Sequence, residues 1–194
     1  MMNFKTYCLS LKSNTNRREW MNSIKENIGL EFEFWDATTP NDLTDEIKEK
    51  YFKHVNFYEW DIIQEAAMAT FISHMRLLEH SVNTKTNIFI IEDDIDIVSK
   101  FDWGNVNFEK FDIFKMGLQG VNCYSYFASV KGAKKVLDYL NENVITEAYD
   151  WELYKMRDLN VRYLKNPIFV QVQNKFESNI APRGYNKIKN GNRD

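Results

Sequence analysis

The chain has 194 residues, 44% of them hydrophobic and 15% aromatic, with only 7 glycines and 3 prolines, a composition that fits one globular domain and excludes collagenous and disordered chains. A formal net charge of −3 leaves no electrostatic footprint for nucleic acid, so no nucleic-acid partner is expected. Cys8 and Cys123 are too few for a disulfide framework, the N-terminal stretch is broken by Lys5 and Lys12, and no apolar run approaches the ~20 residues of a membrane span; the expectation is a cytoplasmic protein.

In chain order, "FKTYCLSL" predicts a strand, "KSNTN" a loop, and "RREWMNSIKENIGL" a helix that stops near Gly29. The alternation in "EFEFWDA" predicts a second strand, so the chain opens with a β-α-β unit and a parallel pair. A short helix is expected around Asp42 to Phe52. Between Ile63 and Val82, Ala67, Thr70, Phe71, His74, Leu77, Leu78 and Ser81 recur at helical spacing and predict one buried stripe. "IFII" has the unbroken apolar character of a central strand covered on both faces. Further strands are expected at "EKFDIFKMG", "YSYFASV", "VRYL" and "PIFVQV", and helices at "KGAKKVLDYLNEN" and "DWELYKMRDLN". The reading is a single α/β domain over residues 1–180, its sheet mainly parallel and flanked by helices, followed by a polar tail over 181–194.

The sharpest feature is "NIFIIEDDIDIV", where Glu92, Asp93, Asp94 and Asp96 follow an apolar run. In open α/β sheets ligands bind beyond the carboxyl ends of strands, which is where these acids fall. If the strand continued, its period of two would put Glu92, Asp94 and Asp96 on one face and Asp93 on the other. Two carboxylates ~4 Å apart repel by about 4 kcal/mol at an effective dielectric of 20, so the cluster needs a compensating cation or shifted pKa values. Hard oxygen ligands without nearby His or Cys suit Mn2+ or Mg2+, ions that keep positions open for diphosphate oxygens. The competing reading is a solvated strand end paired with Lys85, Lys100 or Lys115.

Several segments in order, "YCLSLKSNTNRREWM", "FEFWDATTP", "ATFISHMRLLEH", "IFIIEDDIDI", "FDIFKMG", "YSYFASVKGAKKVLDYL", "AYDWELYK" and "PIFVQVQNKFESNI", resemble glycosyltransferase family 25, which includes lipopolysaccharide-type β-galactosyltransferases and collagen galactosyltransferases. The similarity runs from about Phe4 to Ile180, with a gap between Thr39 and Ile62. It implies a GT-A-like, Rossmann-type nucleotide-sugar-binding domain, an inverting reaction, a UDP-sugar donor carrying a hexose such as galactose, a glycan or protein acceptor, and Mn2+ (or Mg2+) at the acidic motif.

Carried over by residue, the resemblance makes Glu92 and Asp94 the leading metal ligands, Asp96 a lesser one, and Asp93 a nucleotide or metal contact. Asp150 becomes the candidate general base for the acceptor hydroxyl, against a plain role as helix N-cap. Arg17 and Arg18 are candidates for the diphosphate, one of them alternatively a solvated helix residue. Asp36 would meet the nucleoside or simply form a turn. His74, on the apolar stripe, is a core histidine or shapes the donor pocket; Lys131 and Lys134 belong in solvent. The run "EAAMATFISH" lacks the glycine and cysteine that family members carry before the Ser-His pair. Two other functions compete: an idle nucleotide-sugar-binding module, and a magnesium-dependent phosphohydrolase.

Overall fold

The β-prone run after Asn3 forms β1 (Phe4–Ser10), and the polar loop behind it releases the chain into α1 (Thr15–Ile28). Residues 4–52, 64–118, 123–146, 148–172 and 175–176 are described by the computed structural model; the polar tail over 181–194 and most of the end of the closing segment lie outside them. Helix α1 buries Arg17, Met21, Ile24 and Ile28, a stripe at helical spacing. It ends where Gly29 takes a left-handed φ of 68°, open to glycine without a Cβ penalty, and donates its N–H to Glu26. Strand β2 (Glu33–Asp36) then pairs parallel to β1, from Tyr7 opposite Glu33 to Ser10 opposite Asp36. The opening β-α-β unit is therefore present as expected.

Thr44 caps α2 (Asp45–Tyr51) by accepting the Ile47 N–H, and the long α3 (Gln64–Thr84) follows. Of the predicted stripe, Phe71, His74, Leu77, Leu78 and Ser81 are buried and Ala67 and Thr70 only half-buried, while Ala69, Ile72, Ser73 and Met75 are also inside. The helix packs on the sheet through β3 (Asn87–Glu92) and is covered from other sides by α4 (Val130–Glu142) and α5 (Tyr149–Lys155). Helix α5 is shorter than predicted. After it the chain returns to the sheet edge, where the Asn160 backbone bonds to both the side chain and the backbone of Asp112.

The main sheet has the order β2-β1-β3-β6-β5-β7, with β5 at Ile113–Lys115, β6 at Ser125–Ala128 and β7 at Val161–Tyr163. Only β6 runs against the other five. The architecture is the mainly parallel, helix-flanked α/β sheet that was expected. In its middle, Ile88, Phe89, Ile90 and Ile91 are fully buried. One face packs on α2, α3, α4 and α5; the other packs on α1 and an aromatic segment that includes Trp103 and Phe108.

A small antiparallel ribbon of β4 (Ile95–Ile97) and β8 (Phe169–Gln171) stands beside the main sheet. The sequence predicted β8 as the strand in "PIFVQV", but not β4 or the pairing of the two. Between β3 and β4 the chain turns at Asp93 and Asp94, so the strand does not continue and the acidic row on one face does not form.

Candidate active site

A cavity opens at the carboxyl ends of β1, β2 and β3, where Ser10, Thr38, Glu92 and Asp94 line it with Arg17 from α1 and Ser73 from α3. This is the edge to which parallel strands deliver ligand-binding groups. The turn after β3 gives its carboxylates different surroundings. Asp93 points inward: one oxygen accepts from Arg17 Nη1 at 2.7 Å and the other from Ser10 Oγ at 2.7 Å, all three residues being buried. Its charge is answered within the protein.

Asp94 is placed differently. Its Oδ2 accepts from Gln171 Nε2 at 3.1 Å and lies 3.5 Å from Arg17 Nη1, while its Oδ1 is buried with no hydrogen-bond partner among the described residues. Burial, and then the charge of Glu92, push the Asp94 carboxyl up to about 7, with Arg17 pulling the other way. Glu92 sits 3.4 Å from His74 Nε2. All three acids line the cavity, but Asp93 is neutralised by Arg17 and Ser10, which sets it apart from Glu92 and Asp94.

Among the described residues no group of three or more His, Cys, Asp or Glu side chains is arranged to hold a metal ion. The turn explains this: Asp93 is spent on Arg17 and Ser10, and Asp96, on β4, accepts from the Ile97 N–H and does not line the cavity. Two carboxylates with an orphaned oxygen remain. That donor set is too small for an all-protein cage but matches an ion such as Mg2+, which typically takes one or two carboxylates and fills its other positions with phosphate oxygens and water.

Neither arginine stands free as the sequence suggested. Arg17 serves Asp93 and Asp94, and Arg18 pairs with Asp36 and donates to the Ser10 carbonyl. Asp36 is therefore engaged at the end of β2 and does not line the cavity, although Ala37 and Thr38 just beyond it do. His74 is buried on α3 beside Glu92 and does not itself line the cavity. Lys131 is exposed and Lys134 pairs with Asp138 at the surface.

Asp150 lies in the first turn of α5, but the N-cap is Ala148; the Asp150 carboxylate accepts the Trp151 N–H at 3.0 Å. Burial raises its pKa, while that N–H and the charge of Lys115 work against the rise. Lys115 is itself buried, its amine 5.7 Å from the centre of the Tyr163 ring and close enough to Cys123 to act on that thiol. Asp150 does not line the cavity, though Glu92 is close enough to act on it electrostatically. Sequence reasoning missed Ser10, Thr38 and Gln171, and named Lys115 only as a pairing partner for the acids. Ser10 was recoverable, since it closes β1 at the ligand edge; Gln171 was not, because only the β4–β8 ribbon carries it to Asp94.

A carboxylate-lined cavity at the strand ends of a mainly parallel sheet defines a Rossmann-type ligand-binding α/β protein. Residues 3–110, more than half of the chain, match the sequence model of glycosyltransferase family 25 (LPS biosynthesis protein), and the chain belongs to that family. It is accordingly a glycosyltransferase. The match includes the acidic turn, both arginines and His74, but not Asp150. No curated protein matches the chain. A solved structure, that of a glycosyltransferase involved in the glycosylation of the major capsid of PBCV-1, is similar over 90% of this chain and 95% of its own, at 11% identity and a TM-score of 0.47. No helix among the described residues is long and apolar enough to cross a membrane.

Proposed function

We propose that the protein transfers a hexose, galactose foremost, from a UDP-sugar to a glycan or protein acceptor with inversion at the anomeric carbon, and that Glu92 and Asp94 hold Mn2+ or Mg2+ against the donor diphosphate. The observation that carries this reading is the buried, partnerless Oδ1 of Asp94 beside Glu92 in the cavity. Such an oxygen costs free energy as it stands, and a bound cation or a ligand donor offsets that cost. When bound, the ion neutralises diphosphate charge.

The remaining work falls to the chain. Arg17 keeps Asp93 and Asp94 from repelling each other to the point of splaying the turn, and the α1 N-terminus beside Leu11 and Arg17 carries no acidic residue in its first turn, which suits an approaching anion. Asp150 accepts the proton of the acceptor hydroxyl as that oxygen bonds to the anomeric carbon; the bond from carbon to the diphosphate oxygen breaks, and its electron pair leaves with UDP. A carboxyl whose pKa burial has raised is a stronger base than an exposed one.

Incubation with a panel of UDP-sugars, Mn2+ or Mg2+, and simple glycosides should release UDP and yield a product of inverted configuration by NMR. Donor binding without turnover would favour an idle binding module. Hydrolysis of generic phosphoesters without preference for nucleotide-sugars would favour a phosphohydrolase, and neither binding nor turnover across the panel would sink the reading.

A further inference from the structure

A file of polar groups crosses the interior on the α3 face of the sheet. Glu92 Oε1 lies 3.4 Å from His74 Nε2; His74 Nδ1 is 3.0 Å from the Tyr126 hydroxyl; and the Tyr126 hydroxyl is 3.0 Å from that of Tyr149. The imidazole also stacks on the Tyr149 ring, centroids 4.5 Å apart and planes 9° from parallel. His74, Tyr126 and Tyr149 are at most 4% exposed. Volume alone does not call for their polar heads: Phe71 and Phe52 fill the same cluster with plain hydrocarbon rings. Three polar groups kept in a core, each with a partner, are there for what they hold in place.

The file joins four elements. Its outer end is the cavity carboxylate Glu92 on β3; its middle groups sit on α3 and β6; its inner end is the first residue of α5, next to Asp150. Nε2 faces the Glu92 carboxylate at an ion-pair distance, and with the ring hydrogen on that nitrogen Nδ1 is the acceptor for Tyr126, and Tyr126 for Tyr149. The ring then has one orientation that serves both neighbours.

We propose that His74 is a positioning residue that fixes the Glu92 carboxylate at the cavity, with its own ring held by Tyr126 and Tyr149, so that the donor-side carboxylate and the start of the helix bearing Asp150 are kept in one register. This deepens the function proposed above and rests on Glu92 belonging to the donor site. It predicts that a change at Tyr126, which does not line the cavity, alters ligand binding there through Glu92.

The test is a double-mutant cycle with Tyr126→Phe and Glu92→Gln, read by calorimetric binding of UDP in the presence of Mn2+. Tyr126→Phe removes one hydroxyl and keeps the ring. A single hydrogen bond is worth about 0.5–1.5 kcal/mol, so binding should weaken by roughly two- to twelvefold. In the Glu92→Gln background the same change should do little, because the path runs through the carboxylate. His74→Gln, which can still donate to Glu92, should keep more binding than His74→Phe. Full additivity of the two substitutions, or wild-type binding in Tyr126→Phe, would overturn the proposal. A second readout does not need the donor: the 15N shifts of the His74 ring should move in both Tyr126→Phe and Glu92→Gln, and an unchanged ring spectrum in both would overturn it equally. If the intact protein bound no UDP, the donor reading would fail while the ring shifts still decided the positioning role.

Discussion

Asp93 and Asp94 are chain neighbours of identical chemistry, and the turn sends them to opposite fates. One is closed by Ser10 and Arg17 at 2.7 Å each; the other keeps a bare buried oxygen. Replacing Asp94 by Asn removes charge from a site where Glu92 repels it, so the ligand-free protein should gain stability, with its melting temperature rising by roughly 2–4 °C for each ~1 kcal/mol recovered. Stabilisation by UDP and Mn2+ should vanish in the same variant. A fall in the ligand-free melting temperature, checked by calorimetry, would mean that Asp94 is a structural carboxylate like its neighbour.

The helices and strands that frame the site carry stability of a different origin. Gly132, on the buried side of α4, comes so close to β5 that a Cβ there would lie 2.1 Å from the Asp112 carbonyl oxygen. Alanine would raise helix propensity by about 1 kcal/mol, yet the opposing atom is backbone and cannot step aside. Gly132→Ala should therefore destabilise the fold by more than about 2 kcal/mol in urea titrations. Asp112 itself ties the same helix to the sheet edge, accepting from Lys135 at 2.6 Å and from the Asn160 N–H at 2.9 Å. Burial pushes its pKa up, but those two bonds and the charges of Lys135 and Lys131 outweigh it, and the net pKa is lowered. A lowered folded pKa means stability that is present above the unfolded value near 3.8 and lost as pH falls through the folded one. The deficit of Asp112→Asn against the natural protein should thus be full at pH 6–7, about 1.5–3 kcal/mol, and should close on acidification below about pH 4.

At this scale the sequence was legible wherever one period ran long enough. β1, α1, α3, β3 and α4 all lie where the apolar spacing predicted them. β8 was readable as the strand in "PIFVQV", but β4 and its pairing with β8 were not, because the ribbon is defined by a partner more than 70 positions away. Nor was the reversed direction of β6, a property of pairing and not of composition. The acids were found as a group, but their division was hidden: it depends on a turn that breaks the expected extension, and on Arg17 spending its charge inside the protein. The described backbone and side chains bring Glu92 and Asp94 together at one cavity and leave Asp36, Asp96 and Asp150 off its walls.

Across the whole molecule, two hydrophobic clusters lie on opposite faces of one sheet and share its strands, Ile90 belonging to one and Ile91 to the other. Neither face can lose its helices without exposing the strands that the other depends on. Thermal unfolding should therefore give one transition, with calorimetric and van't Hoff enthalpies in agreement. Two resolved transitions would show that the faces melt independently.

The clasp on the carboxylate turn bears on how this protein is made. Asp94 is gripped by Gln171 and by the Val172 N–H at 2.7 Å, groups supplied 77 and 78 positions later. On the ribosome, the β-α-β opening, α3 and β3 emerge first and can begin to pack, while the turn between β3 and β4 waits for its far-off partner. Ligand competence is thus among the last properties a nascent copy acquires, and a synthesis halted before that partner emerges leaves the catalytic edge unfinished.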